Sequence, residues 1–157
     1  MSARDRYSAF VSRSRLIAYA VGAMLVIAGC GGAGPVVRSE AQATADIERY
    51  ADQTAVLLRS SLTNATVTST PCSGGLVSVQ AVYRVPLWIT RQPRARAALR
   101  DTWLANKLPL TQDSTSDGYL GAIGTVTPDG YTIDVVSITP KPRAVSLQVR
   151  SPCFRAS

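Results

Sequence analysis

The stretch ATVTSTPCSGGLVSVQAVYRVP, Ala65 to Pro86, decides the fold. Ala65-Thr66-Val67-Thr68 alternates and is rich in β-branched side chains, which suit a pleated, half-buried strand. Leu76, Val77, Val79, Ala81, Val82, Tyr83 and Val85 form a second, more apolar strand. Pro71-Cys72-Ser73-Gly74-Gly75 lies between them and has turn chemistry, with proline to set one backbone angle and glycines free to adopt positive φ. Strands joined by so short a link run antiparallel. The stretch therefore predicts a hairpin.

On its N-terminal side, Glu40 to Leu62 reads as a helix. Ile47, Tyr50, Ala51, Thr54, Leu57, Leu58 and Ser61 recur at helical spacing, while Asp46, Glu48, Arg49, Asp52 and Arg59 form the polar face. Ser39 suits the N-cap, and Glu40 places an acid in the first turn. On the C-terminal side a second helix is expected over Pro93 to Leu108, opened by Pro93 and closed by Pro109, with Leu99 and Trp103 as core anchors. Strands follow near Tyr119 to Val126, at Tyr131 to Val136 after the Pro128-Asp129-Gly130 turn, and at Ala144 to Arg150. In the last of these Val145, Leu147 and Val149 alternate with Ser146, Gln148 and Arg150, so one face is half-buried. The expected class is α+β, with two helices packed on one face of a four- to five-stranded antiparallel sheet. The two halves are weakly alike, each a helix followed by a hairpin, but this does not establish a repeat.

The N-terminus has a different character. A basic stretch, MSARDRYSAFVSRSR, precedes an apolar run from Leu16 to Ala28. The run is apolar on every face and shorter than the roughly 20 residues that span a bilayer. Basic, apolar and small-residue regions in that order are the layout of an export signal. An uncleaved anchor is the alternative.

Ile27-Ala28-Gly29-Cys30 resembles the lipobox of bacterial lipoproteins. That resemblance covers about the first 35 residues, with Ile27 where the family favours leucine. It implies that Cys30 receives a diacylglycerol and that Ile27, Ala28 and Gly29 are read by the signal peptidase. Residues 1–29 are then a cleaved signal, residues 30–38 a lipidated cysteine with a flexible tether, and residues 39–157 a single extracytoplasmic domain. With Cys30 given to lipid, Cys72 and Cys153 remain, and in an oxidising envelope they are expected to bond. Cys72, the Ser151-Pro152-Cys153 motif and the helix-led layout are also loosely similar to small cell-envelope lipoproteins of actinobacteria, including mycobacteria. This second likeness implies a lipid-anchored location on the extracytoplasmic face of the cell membrane more than an activity.

The 157 residues contain no histidine. The commonest general base, the Ser-His-Asp arrangement and most zinc sites are thereby removed. No Gly-x-Ser-x-Gly or Ser-x-x-Lys box is present, and Gly121-Ala122-Ile123-Gly124-Thr125-Val126 lacks the glycine pattern of a nucleotide loop. Asp113 to Gly118 has a passing likeness to a calcium loop but lacks its acidic spacing and closing glutamate, so it reads as a turn. Asp101 and Asp134 are isolated carboxylates, and Asn64-Ala65-Thr66 is a sequon without use in a bacterium. No metal and no cofactor are expected.

Net charge is +7, and from Cys30 onward 13 Lys/Arg face 9 Asp/Glu. The densest charge is RQPRARAALR, where Arg91, Arg94, Arg96 and Arg100 crowd the start of the second helix. Like charge at a helix N-terminus opposes the helix dipole. The four arginines are candidates for an anionic lipid, glycan or protein partner, against the plain reading of a solvated helix start. Nucleic acid is not expected of an exported chain with so short a basic patch. Trp88, after Arg84-Val85-Pro86-Leu87, is expected in the core, with ligand contact as its alternative. The functional expectation is a non-enzymatic binding or scaffold module held at the membrane by lipid. The alternative is a carrier of an apolar envelope ligand, held in a cavity between helices and sheet.

Overall fold

A computed structural model describes residues 36–114, 118, 120–138 and 143–157. Cys30 and the Ile27-Ala28-Gly29 stretch lie outside the described residues, as do Asp117 and Tyr119.

Strand β1 (Val37–Arg38) leads into helix α1 (Glu40–Leu58). The start of α1 is built as its sequence predicts. Ser39 Oγ accepts from the Gln42 amide at 3.1 Å, and Gln42 Oε1 accepts from the Ser39 amide at 3.0 Å. This reciprocal pair satisfies two amide groups that otherwise lack partners. The helix ends at Leu58, short of the expected Leu62, because Arg59 turns left-handed (φ 51°, ψ 49°).

The hairpin follows as β2 (Thr63–Cys72) and β3 (Leu76–Pro86), tightly joined through Ser73–Gly75. Pro71 and Cys72, expected in the turn, extend the strand. Helix α2 (Gln92–Ala105) then leads to β4 (Leu110–Asp113), β5 (Ala122–Val126), β6 (Thr132–Ser137), β7 (Ala144–Arg150) and β8 (Arg155–Ala156). The main sheet runs β2-β3-β7-β6-β5-β4 and is antiparallel throughout. It has six strands, not four or five. The missed strand, β4, is Leu-Thr-Gln-Asp, too short and too polar to show alternation. It also begins where the second helix was expected to be finishing, since Lys107 (φ 59°) reverses the chain after Ala105. A second, two-stranded sheet pairs β1 with β8 in parallel, so Val37 and Arg38, read from sequence as tether, contact the C-terminal segment.

Register explains the core. Ala81 pairs with Val149, Tyr83 with Leu147 and Val85 with Val145. Ile133 and Val135 continue those rows into β6, and Ile123 and Thr125 carry them into β5. All of these residues are buried and face the helices. Side chains alternate along a strand, so the intervening Gln80, Gln148, Thr132 and Asp134 form the other, more polar face. Helix α1 lies on β3 and β7, and α2 on β4 and β5. Ile47 and Ala51 of α1 and the predicted anchors Leu99 and Trp103 of α2 fill the layer between.

The expected disulfide is present. Cys72 and Cys153 are bonded with their Cα atoms 6.2 Å apart, joining the end of the hairpin to the segment after β7. Phe154 extends the same junction by pairing with Val77.

Candidate binding groove

The end of α1 and the start of α2 meet beside the end of β3, and the chain locks all three together. Ser60 Oγ donates to the Pro86 carbonyl at 2.6 Å, fixing the residue after Arg59 against the sheet. Gln92 is fully buried and its amide donates to the carbonyls of Leu87 (3.0 Å) and Ala144 (3.3 Å). One turn later Arg96 is also buried, at 1 % exposure. Its guanidinium donates to Ser137 Oγ (3.1 Å) and the Gly118 carbonyl (2.6 Å), and Ser137 Oγ donates to Gln92 Oε1 (2.9 Å). A Cβ at Gly121 would lie 3.1 Å from the Arg96 guanidinium carbon and would clash with the Ser114 carbonyl, so glycine there leaves room for the arginine. A buried cation is tolerated only with such hydrogen bonding.

The four candidate arginines therefore divide. Arg96 is a strut beneath α2, not a surface contact. Arg100 pairs with Asp113 at 3.2 Å. Arg91 and Arg94 face outward and line a groove of about 620 Å³ between the helices. Arg59, from the turn after α1, joins them. The sequence reading placed Arg59 on the polar face of its helix. That it lines the same groove as Arg91, 32 residues away, is a product of tertiary packing and has no local signature.

Leu58 and Leu87 contribute buried apolar surface to the groove, and Val56, Leu57, Ala95 and Ala98 line it further. Val56 is 74 % exposed, an unusual position for a valine at the end of a packed helix. Thr90 and Thr102 add hydroxyl groups, and among the described residues no acidic side chain lines the groove. Among the described residues Arg59, Arg91 and Arg94 form no ion pair, whereas Arg38, Arg49 and Arg100 each do. The start of α2 has no side-chain cap and no acid in its first turn, in contrast to α1. Positive side chains at a helix start, with no acid to offset them, favour an approaching anion.

Trp88 is not in the core. It is 58 % exposed, because β3 ends at Pro86 and the tryptophan starts the short turn Ile89–Arg91. The Arg143 guanidinium lies 4.9 Å from its ring centre. Trp88 lies in sequence between Leu87 and Thr90, which both line the groove.

Elsewhere, polar groups serve the fold. Asp46 joins Arg38 (2.9 Å) and Arg49 (3.0 Å) and accepts from the Tyr131 hydroxyl (3.1 Å), which also bonds Arg38. Asp129 accepts from Tyr50 (2.7 Å) and Thr127 (2.6 Å). Burial works to raise the Asp129 carboxyl, but these two bonds, with its own backbone amide and the Arg49 charge, outweigh it and hold it below its ordinary range. Asp134 is pushed up by burial on the open sheet face, with Arg150 partly opposing. No group of three metal-ligating side chains occurs among the described residues, and no helix among them is long and apolar enough to cross a membrane.

No family model, curated protein or solved structure matches the chain. The groove must be interpreted from its own chemistry.

Proposed function

We propose that this is a lipid-anchored cell-envelope lipoprotein whose folded domain is a non-enzymatic binding module, with the groove between α1 and α2 as its binding site. The observation that carries the reading is an apolar groove edged by three arginines and, among the described residues, lined by no carboxylate. The basic and apolar N-terminal layout and the Ile27-Ala28-Gly29-Cys30 motif support export and lipidation at Cys30. The Cys72–Cys153 bond is consistent with an oxidising compartment. The absence of histidine from the sequence supports a binding role over general acid–base catalysis.

The carrier reading draws on the same groove. The layer between helices and sheet is occupied by Ile47, Leu99, Trp103, Val79 and Leu147, all buried. A carrier would therefore hold its ligand in the outer groove instead of between the layers.

Two measurements test the proposal. Cys30→Ser should abolish acyl labelling and release the protein from membranes; retention with undiminished labelling refutes the anchor. A photo-crosslinking residue at Val56 should capture a ligand in the intact envelope, and the Arg91→Glu/Arg94→Glu double variant should lose that adduct. Equal capture from a control position at Gln148, on the opposite face of the sheet, would overturn the groove as the site.

A further inference from the structure

We infer that the groove takes a single-chain amphiphile with an anionic oxygen head, a carboxylate or a phosphate ester. This deepens, and rests on, the reading of the groove as the binding site.

The argument begins with spacing on α2. Arg91, Arg94, Ala95, Ala98 and Thr102 all line the groove and fall at intervals of three, one, three and four. Such intervals place them on one helical face. At 1.5 Å rise per residue the stripe is about 16 Å long. Its charge is concentrated at one end. Arg91 and Arg94 begin the stripe, and Arg59 lines the same groove from the turn after α1. Beyond Arg94 the stripe contains alanines and then a threonine, whose small side chains leave depth beside Leu57.

A site with polarity at one end and an apolar track beyond it matches a head-and-tail molecule. Arginine presents several donors in a planar fork and binds carboxylate or phosphate oxygens bidentately. The track supplies the apolar burial that a free inorganic anion would not use. An acidic peptide fits less well, because a peptide also carries backbone amides and carbonyls along its length. Among the described residues the groove offers Thr90 and Thr102 as uncharged polar side chains to meet them. A membrane surface also fits less well. The chain enters the described fold at Val36, beside β8 and the start of α1. The groove is at the other end of α1, about 27 Å away at helical rise.

The experiment is calorimetric titration of the full chain carrying Cys30→Ser, with the disulfide formed. The probes are dodecanoate, dodecyl phosphate, dodecyltrimethylammonium and inorganic phosphate, below micellar concentrations. Dodecanoate and dodecyl phosphate should bind at one site, and the stronger of the two identifies the head. The cationic amphiphile should bind at least about ten-fold more weakly, as loss of a charge-assisted contact predicts, and inorganic phosphate at least about ten-fold more weakly, as loss of the apolar burial predicts. Arg94→Glu should weaken anionic binding by a similar factor without lowering the thermal midpoint, since an acid suits a helix N-terminus. Ala98→Trp should block the track and abolish binding of both anionic probes.

Equal binding of the cationic and anionic amphiphiles, or undiminished binding by Arg94→Glu, overturns the inference. If neither anionic amphiphile binds while Val56 still gives an arginine-dependent adduct, the inference falls and the groove remains the binding site. If neither result appears, both readings fall.

Discussion

Arg59 holds a backbone conformation that glycine holds at lower cost. Its φ of 51° and ψ of 49° lie in the left-handed region, where a helix commonly ends with glycine. A side chain there costs roughly 1 kcal/mol. Arg59→Gly should therefore leave the fold as stable or raise its stability by up to about 1 kcal/mol, while weakening the anionic amphiphile. Urea unfolding and the titration above measure the two effects separately. A clear loss of stability would make Arg59 a structural residue and remove it from the site. Tyr131 has the reverse role. It is fully buried, and its hydroxyl lies between Asp46 and Arg38. Burial first, and then the Asp46 charge, push its pKa up to about 12 from the ordinary 10. The folded state thus holds this proton more tightly than the unfolded chain does. The stability that results is intact below pH 10 and is lost as pH rises towards 12. Tyr131→Phe should flatten the alkaline fall in stability above pH 10 while costing about 1–3 kcal/mol at neutral pH, because Asp46 and Arg38 lose a buried partner. An unchanged alkaline unfolding curve would assign that fall to other groups.

At the scale of elements, the two helices begin in opposite ways, and the contrast shows what the sequence made legible. Ser39 and Glu40 are a local start signal, and the structure uses it, with Gln42 completing a reciprocal pair with Ser39. The hairpin was equally clear, because β-branched alternation and a Gly-Gly turn are neighbours in sequence. Cys72 with Cys153 was legible only through the count of cysteines and the lipobox resemblance. The start of α2 was legible as an anomaly, four arginines where an acid is preferred, but not as a division of labour. Arg96 enters the interior because Ser137 and Gly118, more than 20 residues away, present oxygens beneath the helix. Arg100 finds Asp113 only because β4 folds back beside α2. Those partners depend on tertiary packing, which periodicity does not encode. Strand β4 was missed for the same reason: its partner β5, not its composition, makes it a strand. Trp88 was misplaced because a large aromatic side chain at a strand end is more often buried, whereas here it opens an exposed turn after Pro86 ends β3.

On the scale of the whole molecule, the staple and the groove are at opposite ends, and this separates stability from binding. Cys72 closes β2 at the end of the hairpin, nine residues from Thr63 and so about 30 Å along the strand. Thr63 follows the end of α1, where Arg59 lines the groove. The disulfide closes a loop with a sequence separation of 81 residues. On a chain-entropy model that contributes about 4 kcal/mol, mostly by restricting the unfolded chain. For a domain of this size the loss lowers the thermal midpoint by about 15 °C. The Cys72→Ser/Cys153→Ser variant should show that drop in a thermal scan. At a temperature where it remains folded, it should bind the anionic amphiphile with the affinity of the disulfide-bonded form. The groove is held instead by the Ser60–Pro86 bond and the Gln92–Arg96–Ser137 network, neither of which uses a cysteine. A variant that stays folded but loses binding would show that the hairpin end and the groove are coupled through β3, contrary to this division. Ser137→Ala supplies the converse. It removes a hydroxyl that both accepts from Arg96 and donates to Gln92, so it should loosen the start of α2 and weaken binding while leaving the disulfide unaffected.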